Sequence, residues 1–307
     1  MKKKFLVIGA NGQDGYYISK LIIKSKNYLL CIGRQKKSKF EKELKSFKYF
    51  QLNLKNSKKL LFLLKKIKPD FIINLAAFHG SSEKKWNNNL ESSIEVNTIP
   101  TKIILEYISK YALNCFYFFA SSILCLKKDK KINEKSKRIN KNPYQISKNN
   151  SEVLINDFRK KYSIKASIAW FFQHESQHRQ ESFFIPKVLS ILKKSISNNK
   201  YKSYVNNLNF YNDWGSAQEF MEIIFKIVKK KVNTDFVIAT GKTHHATDVV
   251  NNLFKQYNLN YKDHIIEKNR VKKSFKYTAD ISKLKKKINS FPKKNIYKVC
   301  SDIIKNL

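Results

Sequence analysis

The chain has 307 residues, of which 62 are Lys or Arg and 23 are Asp or Glu, giving a formal net charge of +39. Only five residues are Arg, the side chain best suited to phosphate and base contacts, and the Lys residues are spread along the whole chain, so we expect no nucleic-acid partner. Hydrophobic residues make up 42%, enough for a large core, and no apolar run approaches the roughly 20 residues of a membrane span.

The four cysteines are far apart and include no CxxC pair, so the sequence indicates neither a zinc site nor a disulfide framework. We therefore expect no metal and a reducing, cytoplasmic location. The basic start of the chain leads into an apolar run that is too short for a signal peptide and is better interpreted as a first strand. No membrane partner is expected.

Apolar strand-like runs alternate with segments of helical period through the first half of the chain. Strands are predicted at 5–8, 28–32, 70–75, 114–120 and 166–172, and helices at 16–26, 58–66, 94–111 and 144–162. This alternation is typical of a parallel sheet covered by helices on both faces. We predict a doubly wound α/β (Rossmann) fold.

The pattern loosens after residue 172. We assign 1–172 to the doubly wound domain, with a returning strand near 235–240, and 173–307 mainly to a smaller C-terminal substrate-binding lobe. A helix is predicted at 186–198, and the polar stretch 127–141 is predicted to be an exposed loop.

A glycine cluster, Gly9-Ala-Asn-Gly12-Gln-Asp-Gly15, directly follows the first predicted strand and opens the first helix. Glycines at this spacing permit a tight turn and let backbone N–H groups approach a pyrophosphate at the helix N-terminus. The chain has only seven Gly, so three of them in this context favour dinucleotide binding over chance.

The end of the second strand indicates which dinucleotide is bound. An acidic residue there would contact the ribose hydroxyls of NAD, whereas basic residues would contact the 2′-phosphate of NADP. Here Arg34 is followed by Gln35, Lys36 and Lys37, with no acid before Glu41. We therefore predict NADP as the cofactor in preference to NAD.

A YxxxK pair, Tyr144 and Lys148, opens the helix that precedes the fifth predicted strand. The i, i+4 spacing places both side chains on one helix face, where an ammonium lowers the pKa of a phenol. Such a tyrosine can take a proton from a sugar hydroxyl, and Ser122, just after the fourth strand, can hydrogen-bond the reacting oxygen. We predict Ser122, Tyr144 and Lys148 as the catalytic residues.

In this order the elements resemble the extended short-chain dehydrogenase/reductase superfamily, and within it the GDP-mannose 4,6-dehydratase family. The resemblance runs along nearly the whole chain. It rests on strings similar to that family's GxTGQDG, NLxA, SPYAxAK, NHES, RDWG and DxVIATG, which here are Gly9 to Gly15, Asn74 to Ala77, Asn142 to Lys148, His174 to Ser176, Asp213 to Gly215 and Asp235 to Gly241.

The resemblance implies removal of water from GDP-mannose or a similar GDP-hexose, giving a 4-keto-6-deoxy sugar, with NADP taking a hydride from C4 and returning it to C6. It also implies a homo-oligomer, a dimer or a tetramer. The cofactor-binding residues that follow from the fingerprint and the resemblance are Gly9, Asn11, Gly12, Gln13, Asp14, Gly15, Arg34, Asn53, Leu75, Ala76, Ala77, Tyr144, Lys148 and His174. The implied substrate-binding residues are Ser122, Gln173, Glu175, Ser176, Arg179, Lys187 and Arg270.

The chain departs from the family's pattern after the fourth strand. Leu124 stands where the family has the glutamate that takes the C5 proton, and an aliphatic side chain does no acid–base work. Asn53 replaces an aspartate that contacts adenine, and Asn212 replaces the arginine before Asp213.

Three other interpretations stay open at this point. Ser122, Tyr144 and Lys148 could serve a 4-ketoreductase, 4-dehydrogenase or epimerase of nucleotide sugars, which needs no C5 base at position 124. The chain could instead be a non-catalytic protein that keeps the cofactor fold. Nucleic-acid binding would predict retention on DNA that is sensitive to salt and indifferent to NADP.

Overall fold

The computed structural model describes residues 1–79, 89–269 and 271–305. In chain order the strands are β1 (Lys4–Ile8), β2 (Tyr28–Gly33), β3 (Phe47–Gln51), β4 (Phe71–Asn74), β5 (Phe116–Ser122), β6 (Lys131–Ile132), β7 (Ala166–Phe171), β8 (Gln173–Glu175), β9 (Ser203–Val205), β10 (Tyr211–Asn212), β11 (Trp214–Ser216), β12 (Phe236–Ile238), β13 (His244–His245), β14 (Ile265–Glu267) and β15 (Thr278–Ala279). The helices are α1 (Gln13–Lys24), α2 (Ser57–Ile67), α3 (Leu90–Ser93), α4 (Ile99–Tyr111), α5 (Pro143–Tyr162), α6 (Phe184–Ser197), α7 (Ala217–Lys229), α8 (Ala246–Lys255), α9 (Ser282–Ile288) and α10 (Ile296–Ile304).

Seven strands form one parallel sheet in the order β12-β7-β5-β4-β1-β2-β3. Helix α1 packs beside α7, and α4 packs between α2 and α5, so helical layers enclose the sheet. The chain starts in the middle of the sheet at β1 and builds outward in both directions, and this reversal opens a crevice at the carboxyl ends of the strands. The predicted doubly wound fold is confirmed.

The central strands are apolar along their whole length because both faces of the sheet are covered. In β1 the side chains of Leu6, Val7 and Ile8 are fully buried, and β7 is buried at every position. This continuous burial is why their bounds match the sequence prediction closely.

The edge strand β3 was not predicted. None of its residues is buried, and it carries a lysine and a glutamine beside its aromatic residues. An edge strand with one neighbour lacks the long apolar run that marked the central strands, so only its pairing with β2 identifies it.

The prediction of an exposed loop at 127–141 is wrong in its middle. Within this stretch β6 pairs with β15, near the C-terminal end of the chain, and Ile132 is fully buried. The polar stretch after residue 172 also contains a strand, β8, which pairs with β11. Strands of two or three residues leave too little periodicity in the sequence to be predicted.

The chain after residue 172 divides between two apolar clusters. Strand β12 joins the main sheet beside β7, and α7 and α9 pack with the main core. A second cluster lies around α6, α8 and α10, with Trp214 buried in it. No helix within the described ranges combines the length and the apolar character that a membrane span needs.

Candidate active site

The glycine turn joins β1 to α1 at the sheet edge where the crevice opens. Gly9 has φ +88°, and a Cβ added there would lie 2.8 Å from the Ala76 backbone nitrogen. A Cβ at Gly15 would lie 2.5 Å from the Ala10 carbonyl oxygen, whereas at Gly12 the nearest neighbour, Gly9 O, is 3.5 Å away. Gly9 and Gly15 are therefore required for packing, whereas a Cβ at Gly12 would make only an ordinary van der Waals contact.

The Asn11 side chain ties this turn to the loop that follows β2. Its Nδ2 donates to Gln35 Oε1 at 2.8 Å and to the Tyr49 hydroxyl at 3.1 Å, and its Oδ1 accepts from Lys39 N at 3.0 Å. The loop that begins at Arg34 is thus held next to the glycine turn, and Arg34 itself is exposed. Asn11 has a structural role here in addition to its predicted contact with cofactor.

The end of β4 passes directly under the glycine turn. Asn74 accepts from Ala76 N at 3.3 Å and donates to the buried Tyr117 hydroxyl at 3.1 Å. Asn97 clamps the following residues, because it accepts from Phe78 N at 2.8 Å and donates to Phe78 O at 3.1 Å. These amides fix the backbone of the predicted cofactor-binding residues Leu75, Ala76 and Ala77.

The three predicted catalytic side chains come together at the end of β5. Ser122 makes a side-chain hydrogen bond with Tyr144, in the first turn of α5. The Lys148 ammonium, one turn further on, donates to Ala120 O at 2.9 Å and to Ala76 O at 3.4 Å, so it bridges β5 and the end of β4. Lys148 is 1% exposed, whereas Tyr144 and Ser122 remain partly accessible from the crevice.

Burial changes the proton affinities of this pair. It raises the pKa of the Tyr144 phenol, and the hydrogen bond with Ser122 acts in the opposite direction. Burial lowers the pKa of Lys148 from 10.5 to about 8, because a charged ammonium is poorly solvated inside the protein. The raised pKa of Tyr144 is opposite to the lowered pKa that the YxxxK spacing predicted, because burial outweighs the other influences on the phenol.

Leu124 lies in a helical turn at Ile123–Cys125, immediately after Ser122. Its N–H donates to Ser122 Oγ at 3.2 Å, and its carbonyl accepts from Gln145 Nε2 at 2.7 Å. The side chain is partly exposed. The turn is therefore anchored to both Ser122 and the residue after Tyr144, and it presents an aliphatic group where the sequence comparison expected a carboxylate.

Four polar side chains join α1 to the segment after β7. Gln13 donates to His174 O at 3.0 Å and accepts from the Ser176 hydroxyl at 2.9 Å. The Asp14 carboxylate lies 3.0 Å from His174 Nε2, and His174 Nδ1 lies 2.7 Å from Phe172 O. These contacts fix β8 and the adjoining Ser176 against the glycine-rich turn, and the predicted cofactor and substrate contacts of these residues stay predictions.

Arg179 organises the next turn of this segment. Its guanidinium donates to His174 O at 2.6 Å and to Gln173 Oε1 at 2.8 Å, and its Nε lies 3.3 Å from Glu175 Oε2. It also stacks 4.0 Å from the Phe183 ring centre. Burial raises the pKa of Glu175 and the Arg179 charge opposes this shift. The structure thus brings together Gln173, Glu175 and Arg179, three of the predicted substrate-binding residues.

The remaining predicted residues lie at the margins. Asn53 is exposed after β3, and its side chain accepts from Lys55 N at 3.2 Å. Lys187 lies partly buried in the first turn of α6. Arg270 falls outside the described residues. His79, which the sequence analysis gave no role, has its ring centre 6.4 Å from that of Tyr144.

Sequence reasoning missed Glu152, which continues the helix face of Tyr144 and Lys148 by one more turn. It is 4% exposed and bonded through both carboxylate oxygens. The available signal was the further i+4 step on the YxxxK helix, where a carboxylate stands at a position facing the sheet.

Comparison with known proteins agrees with this arrangement. The family model described as GDP-mannose 4,6 dehydratase matches residues 6–303. A GDP-mannose 4,6 dehydratase of Drosophila melanogaster is 26% identical over 341 aligned residues, covering 99% of this chain and 85% of the relative. A GDP-mannose 4,6-dehydratase of Vibrio cholerae is 27% identical over 257 residues, covering 78% of this chain and 68% of the relative.

Solved structures are similar in fold over the whole chain. A dTDP-glucose 4,6-dehydratase from Bacillus anthracis in complex with NAD has a TM-score of 0.81 at 17% identity, covering 99% of this chain and 96% of that one. A UDP-glucose 4-epimerase from Thermotoga maritima with UDP-glucose has a TM-score of 0.82 at 15% identity, covering 98% and 97%. The family model's match from residue 6 to residue 303 shows that the chain belongs to the GDP-mannose 4,6-dehydratase family.

Proposed function

We propose that the chain is an NADP-dependent GDP-hexose 4,6-dehydratase, with GDP-mannose as the first substrate to test. The observation that carries the proposal is the Ser122, Tyr144 and Lys148 arrangement in a chain that matches the family model almost end to end. The two relatives above are described as GDP-mannose 4,6-dehydratases, which supports the choice of base and sugar.

The glycine turn fits the diphosphate of a dinucleotide. Gly12 starts α1 without a side-chain cap, so the first N–H groups of the helix are available to an anion. The uncapped start of α1 at Gly12 and the Arg34 loop held beside the turn by Asn11 support a ligand that spans both. When bound, NADP supplies the group that accepts and returns a hydride.

Arg34 supports NADP in preference to NAD. It is exposed at the end of β2, and the segment from 34 to 40 contains three lysines and no carboxylate. A guanidinium matches the geometry and the charge of a 2′-phosphate, whereas a ribose hydroxyl pair offers it only neutral acceptors.

The proposed roles follow from the contacts at the end of β5. Tyr144 takes the proton from the sugar C4 hydroxyl, because it is partly accessible and is hydrogen-bonded with Ser122. Ser122 holds the reacting oxygen. Lys148 supplies the positive charge that stabilises the phenolate, and its two carbonyl acceptors fix the position of that charge.

Leu124 favours a second candidate function. Removal of water from C5 and C6 needs a base for the C5 proton, and Leu124 offers none at the position where the family has it. With the redox half alone, the site would serve as a 4-ketoreductase, 4-dehydrogenase or epimerase of a nucleotide sugar.

The direct test incubates the purified protein with GDP-mannose and NADP and follows the nucleotide sugar by mass spectrometry. We expect loss of one water with no net change in cofactor. An unchanged sugar at high enzyme concentration contradicts the dehydratase proposal. Oxidation of the sugar with matching formation of NADPH supports the 4-dehydrogenase form of the second candidate, and oxidation of added NADPH by a 4-keto nucleotide sugar supports the 4-ketoreductase form. The nucleotide released on denaturing the protein, NADP or NAD, tests the cofactor.

Leu124→Glu tests the elimination step itself. If the turn presents position 124 to the sugar, the new carboxylate should raise the rate of water loss by about 10²-fold or more, in the range of general base catalysis. Leu124→Gln is the matched control, since glutamine has the same size as glutamate but carries no basic group. Equal rates for the two variants would show that position 124 does not face C5.

A further inference from the structure

Glu152 is a buried carboxylate that the proposed mechanism does not use. Tyr144, Lys148 and Glu152 are spaced four residues apart on α5, so they share one face of the helix. Glu152 is 4% exposed. A charged carboxylate in the interior is costly unless it is hydrogen-bonded and paired, so its contacts need an explanation.

Three elements supply those contacts. Oε1 accepts from the Ser121 hydroxyl at 2.7 Å and from Trp170 Nε1 at 2.7 Å. Oε2 lies 3.1 Å from Arg138 Nε, and the guanidinium also stacks 4.3 Å from the Trp170 ring centre. The end of β5, strand β7 and the loop before α5 are therefore fixed to one carboxylate.

Three consecutive residues at the end of β5, Ala120 to Ser122, contact Lys148, Glu152 and Tyr144. Ala120 O accepts from the Lys148 ammonium, Ser121 donates to Glu152, and Ser122 is hydrogen-bonded with Tyr144. A shift of Glu152 would move Ser121 and, through the backbone, both of its neighbours. Glu152 is thus hydrogen-bonded to Ser121, which lies between the two residues that contact Lys148 and Tyr144.

The charges near Glu152 act on the same pair. Its negative charge raises the pKa of Lys148 and of Tyr144, against the larger effect of burial on Lys148. Arg138 is the cation that faces it from the loop, and the Cys125 thiol faces it from the turn after β5. Burial raises the pKa of Cys125 to about 12, so the thiol is neutral at physiological pH. Burial raises the pKa of Glu152 itself, and Ser121, Arg138 and Trp170 act in the opposite direction because they stabilise the carboxylate.

We infer that Glu152 is a positioning residue of this site: its carboxylate fixes the Ala120–Ser122 strand end and keeps the Lys148 ammonium charged inside the fold. The expected change in the pH profile and in kcat rests on the proposed redox chemistry. The expected coupling between Glu152 and Lys148 rests on the structure alone.

Glu152→Gln removes the charge and keeps an oxygen that can accept from Ser121 and Trp170. Because the charge raises both proton affinities, its removal should move the pH profile of kcat/KM to lower pH by about 0.5 to 1 unit. Trp170→Phe is the matched control, since it removes a hydrogen bond to the same carboxylate and retains the charge. The pH profile of kcat/KM for Trp170→Phe should coincide with that of the unmodified protein.

Glu152→Asp keeps the charge on a side chain one methylene shorter. We expect a lower kcat with an unmoved pH profile, because the charge is retained while the strand end is held less well. A moved profile in Glu152→Asp, or an unmoved one in Glu152→Gln, contradicts the inference.

A substrate-free measurement separates this inference from the proposed function. We would compare urea midpoints at pH 7 for the unmodified protein, Glu152→Gln, Lys148→Met and the double variant. Lys148→Met should raise the midpoint more in the Glu152→Gln background, where the ammonium has lost its compensating charge. Additive midpoints would overturn the electrostatic coupling even if the enzyme turns over GDP-mannose. Non-additive midpoints in a protein with no turnover would leave the coupling intact and reject the proposed function.

Discussion

The Lys148 ammonium is a charge buried in the interior, and its burial lowers the free energy of unfolding of the protein. Its ammonium is held by two backbone carbonyls, and burial lowers its pKa from 10.5 to about 8. The folded protein therefore binds this proton less tightly than the unfolded chain. The cost is fully present below pH 8 and is lost as the pH rises toward 10.5.

Lys148→Met should for this reason stabilise the protein while it abolishes catalysis. We expect a gain in the free energy of unfolding of about 2 kcal/mol at pH 6.5, after allowance for the lost carbonyl bonds, and a smaller gain at pH 9.5. Urea unfolding at the two pH values measures it. Lys36→Met, at an exposed position, is the control and should show no such pH dependence. An equal gain at both pH values for Lys148→Met would contradict the assigned pKa shift.

At the scale of single residues, the sequence predicted the pair Tyr144 and Lys148 but missed the polar side chains that hold the backbone around them. Tyr144 and Lys148 stand in a recognisable spacing, and the glycine turn stands beside a strand and a helix. Asn97 and Asn74 hold the backbone through contacts with residues far away in sequence, so no local pattern marks that role, and only the further i+4 step on α5 marked Glu152. Polar side chains that hold a site are visible only once the fold places their partners.

At the scale of elements, the site depends on how the later strands are fixed to the sheet. Asp213 lies between β10 and β11, is fully buried, and caps the end of β12. Its Oδ1 accepts from Thr240 N at 3.1 Å and from the Thr240 hydroxyl at 2.7 Å, and its Oδ2 accepts from Gly241 N at 2.7 Å. Because β11 pairs with β8, this carboxylate joins the main sheet to β8.

Asp213→Asn should loosen that junction. An amide NH₂ would face a backbone N–H, which leaves a buried donor unsatisfied and should lower the free energy of unfolding by about 1–3 kcal/mol. Thr240→Val removes only the hydroxyl bond and should cost about 1 kcal/mol. Urea unfolding compares them. A cost for Asp213→Asn no larger than that for Thr240→Val would argue against the role of the carboxylate.

The elements that the sequence predicted are those whose burial is continuous. The central strands and the helices α1, α2, α4, α5 and α6 repeat one pattern over many residues, so their bounds were close to those observed, whereas the 13-residue helix α7 was not predicted. Strands β3, β6 and β8 were missed because each is short, at an edge or paired with a distant segment. The helix predicted at 94–111 is confirmed, with a π-helical turn at Ile94–Thr98 and with Pro100 in the first turn of α4.

At the scale of the whole molecule, the net charge of +39 can be related to the charge of the proposed ligands. Lysines are spread along the whole sequence, and four of them stand on α9. Both proposed ligands are polyphosphates, and a positive field raises the capture rate of anions without directing them to one surface. The charge is thus compatible with a nucleotide-sugar enzyme and identifies no separate partner.

The most direct test of the central claim follows one hydrogen atom. GDP-mannose carrying deuterium at C4 would be incubated with NADP and the protein, and the products analysed by mass spectrometry and NMR, with Tyr144→Phe as the inactive control. The account predicts that the deuterium leaves C4 and reappears at C6 of a dehydrated sugar. Deuterium that ends on the cofactor without loss of water would reject the dehydratase in favour of the redox-only enzyme. Deuterium that stays at C4 of unchanged GDP-mannose would contradict the account.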